Sequence, residues 1–127
     1  MKLEHVAMYV ENLEQAKAFF ITYFEAVANE IYHNPNTGFS SYFLSFQDGA
    51  RLELMHKPNM TKTNVCEEHF GYVHLAFCVG SKQGVDTLTK RLVEAGYELV
   101  SGPRTTGDGY YESCIKGFEG NIIEITA

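Results

Sequence analysis

The stretch KLEHVAMYV, residues 2–10, alternates as a strand: Val6, Met8 and Val10 share one face, and Leu3, His5, Ala7 and Tyr9 share the other. An imidazole among apolar neighbours in a core strand needs a reason. The chain supplies one by repeating the pattern. Asn12 follows the strand, with Gln15 three places on in the manner of a capping box. Leu13, Ala16, Phe20, Tyr23, Phe24 and Val27 then recur at helical spacing. ANEIYH (28–33), FSSYFLSF (39–46) and ARLELMH (50–56) read as three strands separated by NPNTG and QDG turns. The first half is therefore strand, helix, strand, strand, strand.

Residues 57–70, KPNMTKTNVCEEHF, have no periodicity and read as a linker or flap. GYVHLAFCV (71–79) then restarts the pattern, with Val73, Leu75, Phe77 and Val79 on one face and Tyr72, His74, Ala76 and Cys78 on the other. Ser81 is placed to cap a helix carrying Val85, Leu88 and Leu92, and Gly96 is placed to end it. YELVS (97–101), YYESCIKG (110–117) and NIIEITA (121–127) complete a second strand–helix–three-strand module. His74 follows His5 by 69 residues and Glu124 follows Glu53 by 71, and each glutamate lies four residues after a glycine and between aliphatic neighbours, RLELM and IIEIT. The predicted organisation is one domain, 1–127, of two modules (about 1–56 and 71–127) in an α+β fold.

Composition narrows the function. A chain of 127 residues with 45% hydrophobic content can bury a real core. The net charge of −6 disfavours nucleic acid and anionic membranes as partners. No apolar run approaches the roughly 20 residues that span a bilayer, and the N-terminus lacks the charged-then-apolar pattern of a signal peptide. Cys66, Cys78 and Cys114, odd in number and widely spaced, predict neither a disulfide framework nor a zinc ribbon and fit a reducing cytoplasm.

Parity points to the chemistry. Val6, Met8, Val10, Leu52, Leu54, Val73, Leu75, Phe77, Val79, Ile123 and Ile125 claim the helix-covered faces, so His5, Glu53, His74 and Glu124 all turn the other way. An unpartnered buried carboxylate costs several kcal/mol, and two close together repel. A divalent cation removes both penalties, and two neutral imidazoles with two carboxylates make a net-neutral site for it. This nitrogen/oxygen set suits zinc, nickel, cobalt, manganese or ferrous iron better than calcium. It leaves one or two coordination positions for water or a small-molecule substrate. His56, three after Glu53, falls on the opposite face, while His33 ends a strand and His69 lies in the linker, so these three are read as structural or solvated. TTGDGYY (105–111), ending at Tyr111, reads either as a substrate loop or as an ordinary hairpin loop.

On EHVAMYVENLEQAKAFF, RLELM, GYVHLAFCV and EGNIIEI, the chain resembles the vicinal oxygen chelate superfamily, and within it the glyoxalase I-like proteins. The resemblance implies two βαβββ modules whose curled mixed sheets form a metal-containing cavity, usually in a homodimer. It implies one divalent ion, nickel or zinc favoured, on His5, Glu53, His74 and Glu124. The implied activity is metal-assisted proton transfer beside a carbonyl, on a small α-oxo compound or its thiol hemithioacetal, with Glu124 as base and Glu53 as its symmetric counterpart. The same resemblance leaves open a drug- or metabolite-binding protein, a fosfomycin-type thiol transferase or hydrolase, and an oxygenase. In glyoxalase I an arginine four residues after the first histidine helps to hold glutathione. Here that position is Tyr9, so the substrate contacts are expected from Tyr9, Arg51 and Tyr111, with Lys116 and Arg104 as further cations. The family's DPDGN turn is GFEGN (117–121) here.

Overall fold

In the computed structural model, which describes residues 1–61 and 70–127, each half of the sequence folds round its own helix. The stretch predicted as a linker lies mostly outside the described residues, and Cys66 and His69 with it. The chain divides into two compact units, Met1–Thr63 and Asn64–Ala127.

The first unit runs β1 (His5–Tyr9), α1 (Leu13–Phe24), β2 (Val27–Ala28), β3 (Tyr32–His33), β4 (Ser40–Ser45) and β5 (Arg51–His56). Asn12 starts α1 by accepting the Gln15 N–H at 3.0 Å. The helix stops at Glu25, whose φ of 55° takes it into the left-handed region, and the N–H groups of Glu25 and Ala26 both close on the Phe20 carbonyl. Val27, predicted as the last residue of the helical stripe, therefore begins a strand instead and is exposed. Sheet order is β1-β5-β4-β2, with β1 and β5 parallel and β3 pairing β4. ANEIYH, predicted as one strand, is two short pairings. The register slips by one residue between Ala28↔Leu44 and Tyr32↔Ser41, and the Asn29 side chain takes the Phe43 N–H at 2.7 Å.

Parity then builds the core. Ala16, Phe19, Phe20 and Phe24 of α1 pack on Tyr42, Leu44, Leu52 and Leu54, all buried. Burial of each large side chain is worth about 1.5–3 kcal/mol. Tyr42 also pins the helix to the sheet. Its hydroxyl donates to Glu14 at 2.6 Å and accepts from Lys17 at 3.0 Å, and Lys17 meets Glu14 at 2.5 Å. The Lys17 bond, then the Tyr42 bond, hold the Glu14 carboxyl below the ordinary carboxylate range. A depressed carboxyl binds fewer protons folded than unfolded, so its contribution is present above the ordinary pKa and is lost as pH falls through the folded value. Tyr42→Phe is expected to cost about 1 kcal/mol at neutral pH. Urea titrations at descending pH should show the deficit shrinking as Glu14 protonates.

The second unit runs β6 (His74–Cys78), α2 (Lys82–Glu94), β7 (Glu98–Thr105), β8 (Tyr111–Lys116), a 3₁₀ turn at Phe118–Gly120, and β9 (Ile122–Thr126). Sheet order is β6-β9-β8-β7, with β6 and β9 parallel. Ser81 caps α2 by accepting the Gly84 N–H at 3.0 Å. Gly96, at φ 97°, ends it while the Tyr97 N–H bonds the Leu92 carbonyl and the Gly96 N–H bonds that of Val93. Val85, Thr89 and Leu92 pack on Ser113, Ile115, Ile123 and Ile125, all buried. The buried polar side chains Thr89 and Ser113 in this layer satisfy each other: Thr89 Oγ1 bonds the Val85 carbonyl at 2.6 Å and Ser113 Oγ at 2.5 Å. Val73, predicted on the core face, precedes β6 and is exposed.

β7 does not stop at Ser101 as predicted. It continues through Gly102, Pro103 and Arg104 to Thr105, with register shifts on either side of Ser101. Gly102 makes this possible, since a Cβ there would lie 2.5 Å from the Glu112 carbonyl oxygen. Thr106–Tyr110 form the hairpin turn, closed by Thr106 N–H to the Tyr110 carbonyl at 2.8 Å and by the Thr106 hydroxyl on Asp108. The fold is α+β, with one helix covering one face of an open mixed sheet in each module.

Candidate functional site

The strand face turned away from the helix carries the predicted polar residues in both units. In the first, the β1–β5 register sets His5 beside Arg51, Ala7 beside Glu53 and Tyr9 beside Met55. Phe43 of β4 flanks Glu53 on the other side. His5 Nε2 lies 4.0 Å from Glu53 Oε2. The His5 ring stands edge-on to Phe43, with centroids 5.3 Å apart. Its other nitrogen, Nδ1, meets Glu4 Oε2 at 2.5 Å. The His5 bond, then the Arg51 bond, hold the Glu4 carboxyl below the ordinary range.

The second unit repeats the arrangement. Ala76 and Cys114 flank Glu124, and Cys78 and Glu112 flank Thr126. His74 Nε2 lies 3.6 Å from Glu124 Oε2. The neighbours differ from those of the first unit: Phe43 is replaced by Cys114, and Glu112 joins the same face. Burial, then the charge and hydrogen bond of Glu124, push the Glu112 carboxyl above its ordinary range. Burial, then Glu124, raises the Cys114 thiol, which is therefore protonated and a poor nucleophile at neutral pH. Sequence reading missed Glu112. Alternation within YESCIK was the available signal, but only the β8–β9 register shows that its Glu and Cys share the face of Glu124.

The structure thus joins His5 to Glu53 and His74 to Glu124. Among the described residues, no group of three or more His, Cys, Asp or Glu side chains that could hold a metal ion is gathered. Each pair by itself still suits ligation. Neither separation is a hydrogen bond. Two donors on one ion, each at about 2.1 Å, stand about 3.0–3.4 Å apart, so the second pair needs to close by a few tenths of an ångström and the first by somewhat more.

The predicted substrate residues divide. Tyr9 stays on the His5 face, exposed, with Lys57 Nζ 5.4 Å from its ring centroid. Arg51 is on the right face but is engaged: it donates to Glu4 Oε1 from Nε at 2.8 Å and from a terminal nitrogen, and its guanidinium covers the Phe43 ring at 4.2 Å. Tyr111 is on the other face. Its parity is that of buried Ser113 and Ile115, its hydroxyl donates to Asp86 of α2 at 2.7 Å, and Lys82 lies over its ring. Tyr111 thus lies against α2 and not on the face of Glu124. His56, as parity required, turns from Glu53 and meets the Val10 carbonyl at 3.0 Å, and His33 meets Ser40 at 2.8 Å. Among the described residues, no helix is long and apolar enough to cross a membrane.

Comparison with known proteins adds the following. The family model described as the Glyoxalase/Bleomycin resistance protein/Dioxygenase superfamily matches residues 2–125. The uncharacterized protein YqjT of Bacillus subtilis (strain 168) is 27% identical over 116 residues, which are 86% of this chain and 85% of that protein. A glyoxalase family protein from Bacillus cereus superposes with a TM-score of 0.84 at 20% identity, over 99% of this chain and 93% of the other. Glyoxalase I of Leishmania major, described as trypanothione-dependent, superposes with a TM-score of 0.78 at 16% identity, over 99% and 86%. At these identities the structural likeness bears on fold.

Proposed function

The chain belongs to the glyoxalase/bleomycin resistance protein/dioxygenase superfamily, and from that premise we propose that it is a metal-dependent lyase or isomerase of the glyoxalase I type. The substrate is a small α-oxo compound or its thiol hemithioacetal. The observation that carries the reading is the duplicated histidine–glutamate pair, with Nε2 facing Oε2 at 4.0 Å in one module and 3.6 Å in the other. On this reading His5, Glu53, His74 and Glu124 are the ligands of one divalent ion. Nickel or zinc is favoured over cobalt, manganese and iron. The ion, when bound, acts as a Lewis acid on the substrate oxygens and makes the adjacent C–H bond more acidic.

The chain's own residues do the rest. Glu124 removes the proton from one carbon and returns it to the neighbouring carbon. It is the more open of the two carboxylates, with 22% of its side chain exposed against 15% for Glu53. Glu53, held between Ala7 and Phe43, stays a ligand. Tyr9 lines the substrate side, with Lys57 as the nearby cation in place of the arginine expected four residues after His5. The working form is a cytoplasmic homodimer.

The direct test loads the protein in turn with nickel, zinc, cobalt, manganese and ferrous iron, verifies stoichiometry, and follows isomerisation of the methylglyoxal–glutathione hemithioacetal. Turnover above background with one metal or more is expected. Loaded protein that never turns over would remove glutathione chemistry. Glu53→Gln that kept both metal and rate would move the chain to the three-ligand relatives.

A further inference from the structure

The two half-sites match in their ligands but not in what holds them. Glu4 lies beside His5 in sequence, and its carboxylate is used at both oxygens. Oε2 meets His5 Nδ1 at 2.5 Å, and Oε1 takes Arg51 Nε at 2.8 Å together with a terminal guanidinium nitrogen. The backbone reinforces the clamp, because the Arg51 N–H donates to the Glu4 carbonyl at 3.0 Å. Phe43 closes it, touching the His5 ring edge-on and lying under the Arg51 guanidinium. In the second half the residue before His74 is Val73 and the residue two before Glu124 is Ile122, so neither the acceptor nor its clamp is repeated.

We infer that Glu4, held by Arg51, is a positioning residue that sets the tautomer of the His5 ring, keeping a proton on Nδ1 and leaving Nε2 as the nitrogen turned to Glu53. The reasoning is chemical. A carboxylate has no proton to give, so a bond this short to Nδ1 places the hydrogen on the ring nitrogen. A neutral imidazole carries one ring proton, which leaves Nε2 as a bare donor. That donor lies 4.0 Å from a carboxylate oxygen, too far for a hydrogen bond. Two electron-rich atoms are thus held toward each other, an arrangement that is stabilised when a cation comes between them. A carboxylate on the distal nitrogen also raises the basicity of a ligating histidine and fixes its ring plane. Arg51 thereby changes from a substrate cation to the residue that aims Glu4. As an exposed ion pair the clamp adds little to stability, so its consequence lies in ring orientation. The inference rests on the reading of His5 as a ligand, and the test separates the two.

The test is a two-bond ¹H–¹⁵N correlation of the histidine rings in the full chain, metal-free, at a pH where imidazoles are neutral. It is accompanied by nickel and zinc titrations of the same proteins. Wild type is expected to show His5 as the Nδ1–H tautomer. Glu4→Ala should shift it toward Nε2–H and weaken metal binding about 10- to 100-fold, with the His74 signals unmoved. Glu4→Gln, whose amide oxygen can still accept from Nδ1, should restore the tautomer, and Arg51→Ala should fall between. A wild-type His5 in the Nε2–H form, or a Glu4→Ala protein with unchanged tautomer and affinity, overturns the inference. If the tautomer responds as stated while neither protein binds metal, the positioning role stands and the metalloenzyme reading fails.

Discussion

Glu124→Gln is expected to lower the rate of hemithioacetal isomerisation by about 10²–10⁴-fold, the usual contribution of a positioned general base. The substitution keeps the size and shape of the side chain, and its neighbours Ile123 and Ile125 are 1% and 0% exposed, so the strand has no reason to move. An amide cannot accept the substrate proton, and it is a weaker ligand than a carboxylate. The change should therefore appear in kcat, with the circular dichroism spectrum and urea midpoint close to wild type. Glu53→Gln is the partner experiment. It should weaken metal binding and reduce the rate less than Glu124→Gln does at saturating metal. The reverse ranking would assign the base to Glu53, and unchanged rates in both would remove carboxylate base catalysis.

Phe20→Ala is expected to destabilise the fold by about 3–5 kcal/mol, the range for deleting a buried aromatic side chain. Phe20 is 2% exposed, and its ring meets those of Phe19 and Phe24 at centroid distances of 5.2 and 5.8 Å. The rings around it cannot collapse into the vacated volume without leaving their own contacts, so most of the cavity should persist. Ile21, the next residue on α1, is 43% exposed, and Ile21→Ala should stay within about 0.5 kcal/mol of wild type. Urea unfolding of the pair checks both values, and similar midpoints for the two variants would contradict the core placement of Phe20.

The paired modules were legible because strand parity and helical spacing are local. His5 and Glu53 each fall opposite apolar residues within five positions of themselves, as do His74 and Glu124, and the structure keeps each on the face away from its helix. What was not legible depends on register between strands distant in sequence. The Glu4–Arg51 clamp exists because β1 runs parallel to β5 with His5 opposite Arg51, across more than forty residues of chain. Glu112 reaches Glu124 by the antiparallel β8–β9 pairing. Tyr111 ends a stretch that reads equally as a substrate loop or a hairpin loop, and its face is set by β8, which begins at Tyr111 itself and turns it toward Asp86 of α2. Gly102 and Pro103 read as a strand end, yet register shifts in β7 accommodate them and the strand continues to Thr105.

The central claim is that the two histidine–glutamate pairs serve one ion. Diffraction from nickel- or zinc-loaded crystals, recorded at the metal's absorption edge, tests it most directly. The account predicts one anomalous peak per site, with His5 Nε2, Glu53, His74 Nε2 and Glu124 as its protein ligands. A peak bound by one pair while the other stays free, a peak on other residues, or no peak from protein soaked in excess metal would contradict it.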